Sequence, residues 1–242
     1  MRINVNLELL ARDAVKGVER GDVLIVVDVL RCSSTIVTAL ANGALGLIPV
    51  ATLKEALKHR EKHPEYVLAG ERNGLKPEGF DLGNSPLEFV PEKVAGKRVV
   101  VTTTSGTMAL TRSKKAEHVL IGAFLNAQAV AEKSLEIAKK ESIGISLILS
   151  GRKGNFSLED FLCAGAIISN LGNKVELSDA AVASLLSFEK ACDHLYENVL
   201  KGEHARYLVS IGFEGDVEFC CRINHNPSII PIYKNEVVTL LS

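Results

Sequence analysis

Three apolar runs in this chain each end abruptly in a polar turn, and that repeated junction limits the folds open to it. Residues 23–27 lead into Asp28-Val-Leu-Arg31-Cys32-Ser33-Ser34-Thr35, and residues 98–101 into Thr102-Thr103-Thr104-Ser105-Gly106-Thr107. Residues 145–149 lead into Gly151-Arg152-Lys153-Gly154, with Ser157-Leu158-Glu159-Asp160 close behind. Near-continuous apolar runs of this length read as strands buried on both faces. In a parallel α/β sheet the strand ends share one edge, and ligands bind in the crevice there. Ser, Thr, Gly, Arg and acids at those ends read as pieces of one site for an oxyanion and a cation.

The β and α signals alternate along most of the chain. Strands are expected at 23–29, 47–50, 66–70, 98–104, 118–121 and 145–150. Helices are expected at 33–42, 52–60, 106–113, 126–140, 158–170 and 178–200, the last broken once. Thr52 with Glu55 three residues on makes a helix-opening cap. The final quarter, 217–223 and 229–241, reads as strands without helices between them. The expected fold is a three-layer α/β/α domain with a mainly parallel sheet and an antiparallel C-terminal edge. No linker or repeat interrupts residues 1–242, so one domain is expected, with two lobes left open. Residues 75–91 are too rich in Pro and Gly for regular elements. Phe80, Leu82, Leu87 and Phe89 make this a packed loop, and its 74–86 part is expected to cover the site.

Composition excludes several functions. The 242 residues carry a net charge of −1, which argues against the basic face of a general nucleic-acid binder. No apolar run approaches a membrane span, and residues 1–8 alternate as a strand rather than as a signal peptide. The five cysteines lack paired CxxC spacing and read as reduced thiols of a cytoplasmic protein. Only Cys32 lies in a candidate site, where packing is the preferred reading.

Asp28 carries the most chemistry. A carboxylate at the end of a central strand is costly unless paired or metal-bound. It reads as a site residue, with helix capping or pairing to Arg31 as alternatives. Two phosphatase signatures fail here: D-x-D-x-T needs an acid where Leu30 stands, and C-x5-R needs an arginine where Thr38 stands. The hydroxyls of 102–107, with Gly106 opening a helix, suit an anion cradle, and a Thr-rich strand with a cap is the plain alternative. Ser157 and Asp160 match a capping box, which leaves Glu159 as the better metal candidate and Asp160 in reserve. Arg31, Arg72 and Arg152 each offer a fork-shaped donor to an anion and are expected in one cleft. Asp81 and Asn84 are expected to face the ligand from the covering loop.

These blocks, with Gly70-Glu71-Arg72-x-Gly74 and Gly79-Phe80-Asp81-x-Gly83-Asn84-Ser85-Pro86, occur in an order that resembles the 2-phosphosulfolactate phosphatase (ComB) family. The resemblance covers essentially the whole chain and departs from it at Cys32 and Ser105. It implies Mg2+-dependent hydrolysis of (2R)-phospho-3-sulfolactate to 3-sulfolactate and phosphate, in coenzyme M biosynthesis. Asp28, Arg31, Glu71, Arg72 and Glu159 are then the expected catalytic set. Ser33, Ser34, Thr35, Asp81, Asn84, Thr103, Thr104, Ser105, Gly106, Thr107 and Arg152 are the expected substrate contacts. Mg2+ would fall to Asp28 and Glu71, then Glu159, with Asp160 and Asp81 as neighbours; whether Asp28 is ligand, base or nucleophile stays open. The expected partner is a small anionic phosphoester, with neither nucleic acid nor membrane, and a homodimer is left open. Another phosphorylated hydroxy acid is a competing substrate. A non-catalytic anion-binding module is a competing class, although it would gain nothing from clustered carboxylates.

Overall fold

All five residues of the apolar run Val23–Val27 are buried, and their alternation builds the three layers of the molecule. The protein is described by a computed structural model over residues 2–103 and 106–241. Its strands are β1 (Ile3–Glu8), β2 (Val23–Val27), β3 (Gly46–Pro49), β4 (Val67–Gly70), β5 (Arg98–Thr102), β6 (Val119–Gly122), β7 (Ile145–Leu149), β8 (Val175–Leu177), β9 (Pro231–Lys234) and β10 (Val237–Leu240). Its helices are α1 (Ala14–Arg20), α2 (Cys32–Ala41), α3 (Leu53–Lys62), α4 (Pro91–Val94), α5 (Gly106–Ser113), α6 (Ala127–Glu141), α7 (Leu158–Ser169), α8 (Asp179–Ala191), α9 (Leu195–Val199), α10 (Glu203–Ser210) and α11 (Glu214–Cys220). Val23, Ile25 and Val27 pack with Val130 of α6, Ile167 of α7 and Phe188 of α8. Leu24 and Val26 pack on the other face with Ala14 of α1, Ile36 of α2 and Leu110 of α5. Each such large side chain contributes about 1.5–3 kcal/mol by leaving water.

The ten strands run in the order β4-β5-β3-β10-β9-β6-β2-β7-β1-β8. Each of the two outer groups is parallel within itself. The C-terminal hairpin β9–β10 joins them antiparallel, as the last-quarter strands suggested. The hairpin lies between the groups instead of forming an edge. Its outer seams are thin, with one register pair on each side, Val238↔Leu47 and Leu120↔Ile232. Three antiparallel seams separate the groups, so the groups run in opposite directions, and the ends of β5 and β2 leave opposite edges of the ladder rather than the one shared edge expected. They meet nonetheless: a Cβ at Gly106, four residues after β5, would stand 2.7 Å from Asp28 Oδ2, just after β2. Leu24, Ala69, Val101, Ile121 and Val238, from five separate strands, share one core with Ile36 of α2. Polar turns from both parallel groups thus come to one place.

Other local readings meet their physical reasons here. Thr52 caps α3, accepting from the Glu55 amide at 3.1 Å. The long 178–200 pattern breaks at Cys192–His194, a 3-10 turn between α8 and α9. Residues 217–223 are not a strand. Asp216, Val217 and Cys220 are the buried positions of α11, a helical spacing that the apolar content hid. The 75–91 loop is packed as expected around Phe80 and Leu82, although Leu87 is exposed. No helix among the described residues is long and apolar enough to cross a membrane.

Candidate active site

One cavity gathers residues that follow four different strands. Asp28, Leu30 and Arg31 come from the end of β2, and Glu71, Asn73 and Gly74 from the end of β4. Thr103 follows β5, Gly151, Arg152 and Lys153 follow β7, Asn84 comes from the long loop, and His204 and Tyr207 from α10. Glu159 lies in an adjoining groove that shares Arg152, Lys153 and His204 with this cavity.

Four acids crowd the junction. Asp28 is buried, and its Oδ1 accepts from the Cys32 amide at 3.2 Å. Burial pushes its carboxyl up to about 6, with Glu71 and Glu159 adding to the rise and His204 opposing it. Asp160 is raised well above the ordinary carboxylate range, first by burial, then by Asp28 and Glu159. Its role differs from the capping box expected: Ser157 opens α7 but makes no side-chain cap bond. Asp160 instead reaches out of the helix, accepting from Val29 N at 2.8 Å and Gly151 N at 3.1 Å, and so ties the ends of β2 and β7 together. Glu71 Oε2 accepts from Gly74 N at 2.8 Å across its own turn. Glu159 pairs with His204, Oε1 to Nδ1 at 3.1 Å.

The arginines separate. Arg31 is buried and donates to Asp216 Oδ2 at 2.7 Å and to Gly74 O at 2.6 Å. Phe213 lies against its guanidinium, 4.3 Å from carbon to ring centroid. Arg72 donates to Glu71 O at 2.6 Å and to Thr102 Oγ1 at 3.0 Å and does not line the cavity. Arg152 does line it, stacked on Tyr207.

The expected hydroxyl contacts are mostly structural. Ser33 Oγ accepts from Asp28 N, Ser34 donates to Val29 O, and Thr35 donates to Asn84 O. The first two bonds hold the β2 turn closed, and the third ties α2 to the long loop. Thr103 lines the cavity, and its Oγ1 accepts from Thr107 N at 3.3 Å. Thr104 and Ser105 lie outside the described residues. Gly106 is needed for close approach, since a Cβ there would stand 2.7 Å from Asp28 Oδ2 and 2.6 Å from Cys32 Cβ. Cys32 is a buried packing thiol, raised first by burial and then by Asp28. From the loop, Asn84 reaches the cavity, and its Oδ1 is buried with no hydrogen-bond partner among the described residues. Asp81 does not reach it. Its carboxylate is held by Leu68 N and Arg60 at another surface.

Sequence reasoning missed His204, Tyr207, Phe213 and Asp216. The first two lie one helical turn apart on α10, where spacing puts them on one face. Asp216 is paired with Arg31 and also accepts from Ser85 Oγ at 2.6 Å. A carboxylate beside Val217 in an apolar run was the available sign, and the strand reading obscured it.

An α/β sheet whose strand-end turns bring acids, an orphaned amide oxygen and basic groups around one cavity defines an anion-handling α/β protein of hydrolase type. A family model described as 2-phosphosulpholactate phosphatase matches residues 9–236. A protein named "Probable 2-phosphosulfolactate phosphatase" from Thermotoga petrophila is 48% identical over 196 residues, 81% of this chain and 82% of its own. One of the same name from Clostridium beijerinckii is 36% identical over 242 residues, 98% of this chain and 99% of its own. The chain belongs to the 2-phosphosulfolactate phosphatase family.

Proposed function

We propose that this protein is a phosphoric monoester hydrolase that converts (2R)-phospho-3-sulfolactate to 3-sulfolactate and phosphate in coenzyme M biosynthesis, with Mg2+ as cofactor. Family membership supports the reaction. The observation that carries the reading is the meeting of opposite chemistries in one cavity. Asp28, Glu71 and the unpartnered Asn84 Oδ1 stand with Arg152, Lys153 and His204. A substrate with three anionic groups in a chain of net charge −1 needs such local cations.

Among the described residues no group of three or more His, Cys, Asp or Glu is placed to hold a metal by itself. Mg2+ does not require one, since it keeps waters and takes one or two carboxylates plus substrate phosphate. Asp28, Glu71 and Asn84 fit that oxygen set, and Asn84 supplies the orphaned donor. Glu159 and Asp160, expected as ligands, are engaged with His204 and with loop amides. When bound, Mg2+ would neutralise phosphoryl charge and lower the proton affinity of a coordinated water. The acidic cluster accepts the proton released by the attacking water. Glu159 holds His204 through Nδ1, leaving Nε2 to protonate the departing alkoxide oxygen. The hydroxyls and amides around Thr103, Gly106 and Thr107 would receive phosphoryl oxygens. All five cysteines are free thiols, which fits a reducing cytoplasm.

Phosphate release from a panel of phosphorylated hydroxy acids, with Mg2+ and with EDTA, tests the reading. The sulfonated ester should be the best substrate and EDTA should abolish turnover. Release equal with and without EDTA removes the metal, and no release from any ester of the panel removes the activity.

A further inference from the structure

Arginines follow the ends of β2, β4 and β7, and only one keeps its donors. Arg31 is committed to Asp216 and Gly74 O, and Arg72 to Glu71 O and Thr102. Arg152 has no hydrogen-bonded or carboxylate partner for its guanidinium among the described residues. It lies over the ring of Tyr207 instead, its Cζ 4.5 Å from the centroid. A cation–π contact of this kind holds the guanidinium in place while leaving its N–H groups unspent. Tyr207 is itself pinned, donating from its hydroxyl to Asn73 O at 2.9 Å. Lys153 stands next to Arg152, also without a carboxylate partner among the described residues. Both basic residues line the reaction cavity and also the adjoining groove.

A rigid, unspent fork where the groove meets an acid-lined cavity is built to receive an anion other than the one that reacts. We propose that Arg152, held over the ring of Tyr207, is the specificity-determining residue for the sulfonate of the substrate, with Lys153 adding charge and Tyr207 acting as a positioning residue. This rests on the phosphatase reading of the same cavity. Geometry on the substrate side agrees: the sulfonate stands one bond farther from the ester oxygen than the carboxylate does. It can reach the groove while the phosphoryl group stays with Asp28. Paired N–H donors along one guanidinium edge match two sulfonate oxygens, which an ammonium cannot do.

Two measurements test this. The first is the ratio of kcat/KM for 2-phospho-3-sulfolactate to that for 2-phospholactate, which lacks the sulfonate. Arg152→Gln should lower the ratio by roughly thirtyfold or more, chiefly through KM of the sulfonated ester, and Arg152→Lys by about tenfold. Tyr207→Leu should resemble Arg152→Lys, whereas Tyr207→Phe, which keeps the ring, should recover most of the preference. A general loss of structure would lower both esters together and leave the ratio unmoved, which would overturn the proposal. The second is calorimetric titration with 3-sulfolactate and with lactate, neither of which needs turnover. The parent should bind sulfolactate more tightly, and Arg152→Gln should erase that difference. An undiminished difference in Arg152→Gln, or none in the parent, overturns the subsite even if phosphatase activity is found. If no ester is hydrolysed, the phosphatase reading falls and the titration still decides the subsite.

Discussion

The turns that follow β4 and β7 have nearly the same backbone and opposite uses. Each is a two-residue hairpin closed by a bridge, Arg72↔Leu75 in one and Arg152↔Asn155 in the other. Each has both central residues in the left-handed region: Asn73 and Gly74 at φ 52° and 77°, Lys153 and Gly154 at 50° and 80°. This is the turn whose twist matches that of the flanking strands. The side chains then diverge with their surroundings. Beside β4 lies β5, and the Thr102 hydroxyl captures Arg72. Beside the β7 turn stands α10, which offers only the face of Tyr207 to Arg152. Nearly the same turn therefore makes a structural brace in one place and leaves a guanidinium without a hydrogen-bonded partner among the described residues in the other. The carboxylates differ likewise: Glu71 bonds within its own turn, while Gly151 is held by Asp160 from α7.

Asp28 shares the cavity with both turns, so it offers the largest effects. Asp28→Asn should lower turnover by roughly a thousandfold, because on the proposed reading the group that would hold Mg2+ beside the phosphoryl loses its charge. The same variant should be more stable than the parent in metal-free buffer at about pH 8. Folded Asp28 titrates near 6 against an ordinary 3.8. The folded state thus holds the extra proton between those values, and stability falls as pH rises through them. Above about 6 the parent bears the whole penalty, on the order of 3 kcal/mol, and Asn bears none. Thermal unfolding in EDTA should show the two proteins converging below about pH 4. Mg2+ should raise the parent's midpoint at about pH 8 and leave the variant's nearly unmoved. If Asp28→Asn proves less stable there, the carboxylate is compensated by protein groups and needs no cation.

How much of this was legible follows from how far apart in sequence the partners lie. The strand-end runs were readable because apolar strands and their polar turns are local, and Asp28, Glu71, Asn84, Thr103 and Arg152 all reach the cavity. What the runs could not show is which donors are already used. Arg31 is paired with Asp216 from 185 residues away, and Arg72 donates to the Thr102 hydroxyl across 30. Neither pairing leaves a local trace. Convergence was expected from one sheet edge, yet the mid-sheet hairpin sets the two parallel groups in opposite directions, and the turns meet across opposite edges, a long-range property of β9 and β10. His204 and Tyr207 follow no strand, and only their helical spacing marked them.

The glycines sharpen the comparison at intermediate size. Both Gly74 and Gly154 occupy left-handed backbone, so alanine costs about 1–2 kcal/mol at either. A Cβ at Gly154 meets nothing within 4 Å, but at Gly74 it would come within 2.8 Å of Ile211 Cδ1. Gly74→Ala should therefore lose about 1–3 kcal/mol more than Gly154→Ala in denaturant unfolding. Equal losses would mean that the segment after α10 yields freely and that the β4 turn is no better braced than the other.

The smallest effect separates the two arginines themselves. Arg72 is partly buried and makes two hydrogen bonds that fasten the β4 turn to β5. Each is worth about 0.5–1.5 kcal/mol net, and one is made to a neutral hydroxyl. Arg72→Gln should thus lower stability by about 1–2 kcal/mol and show its loss in the unfolding midpoint before it shows in KM. Arg152→Gln should do the reverse, because its guanidinium gives up only a ring contact worth about 0.5–1 kcal/mol at an accessible site. The pair of variants is read as a crossing: the Arg72 change moves the midpoint, and the Arg152 change moves KM for the sulfonated ester. If instead Arg72→Gln raises KM as strongly as Arg152→Gln does, the brace also reaches the substrate, and the contrast between the two turns is one of packing rather than of use.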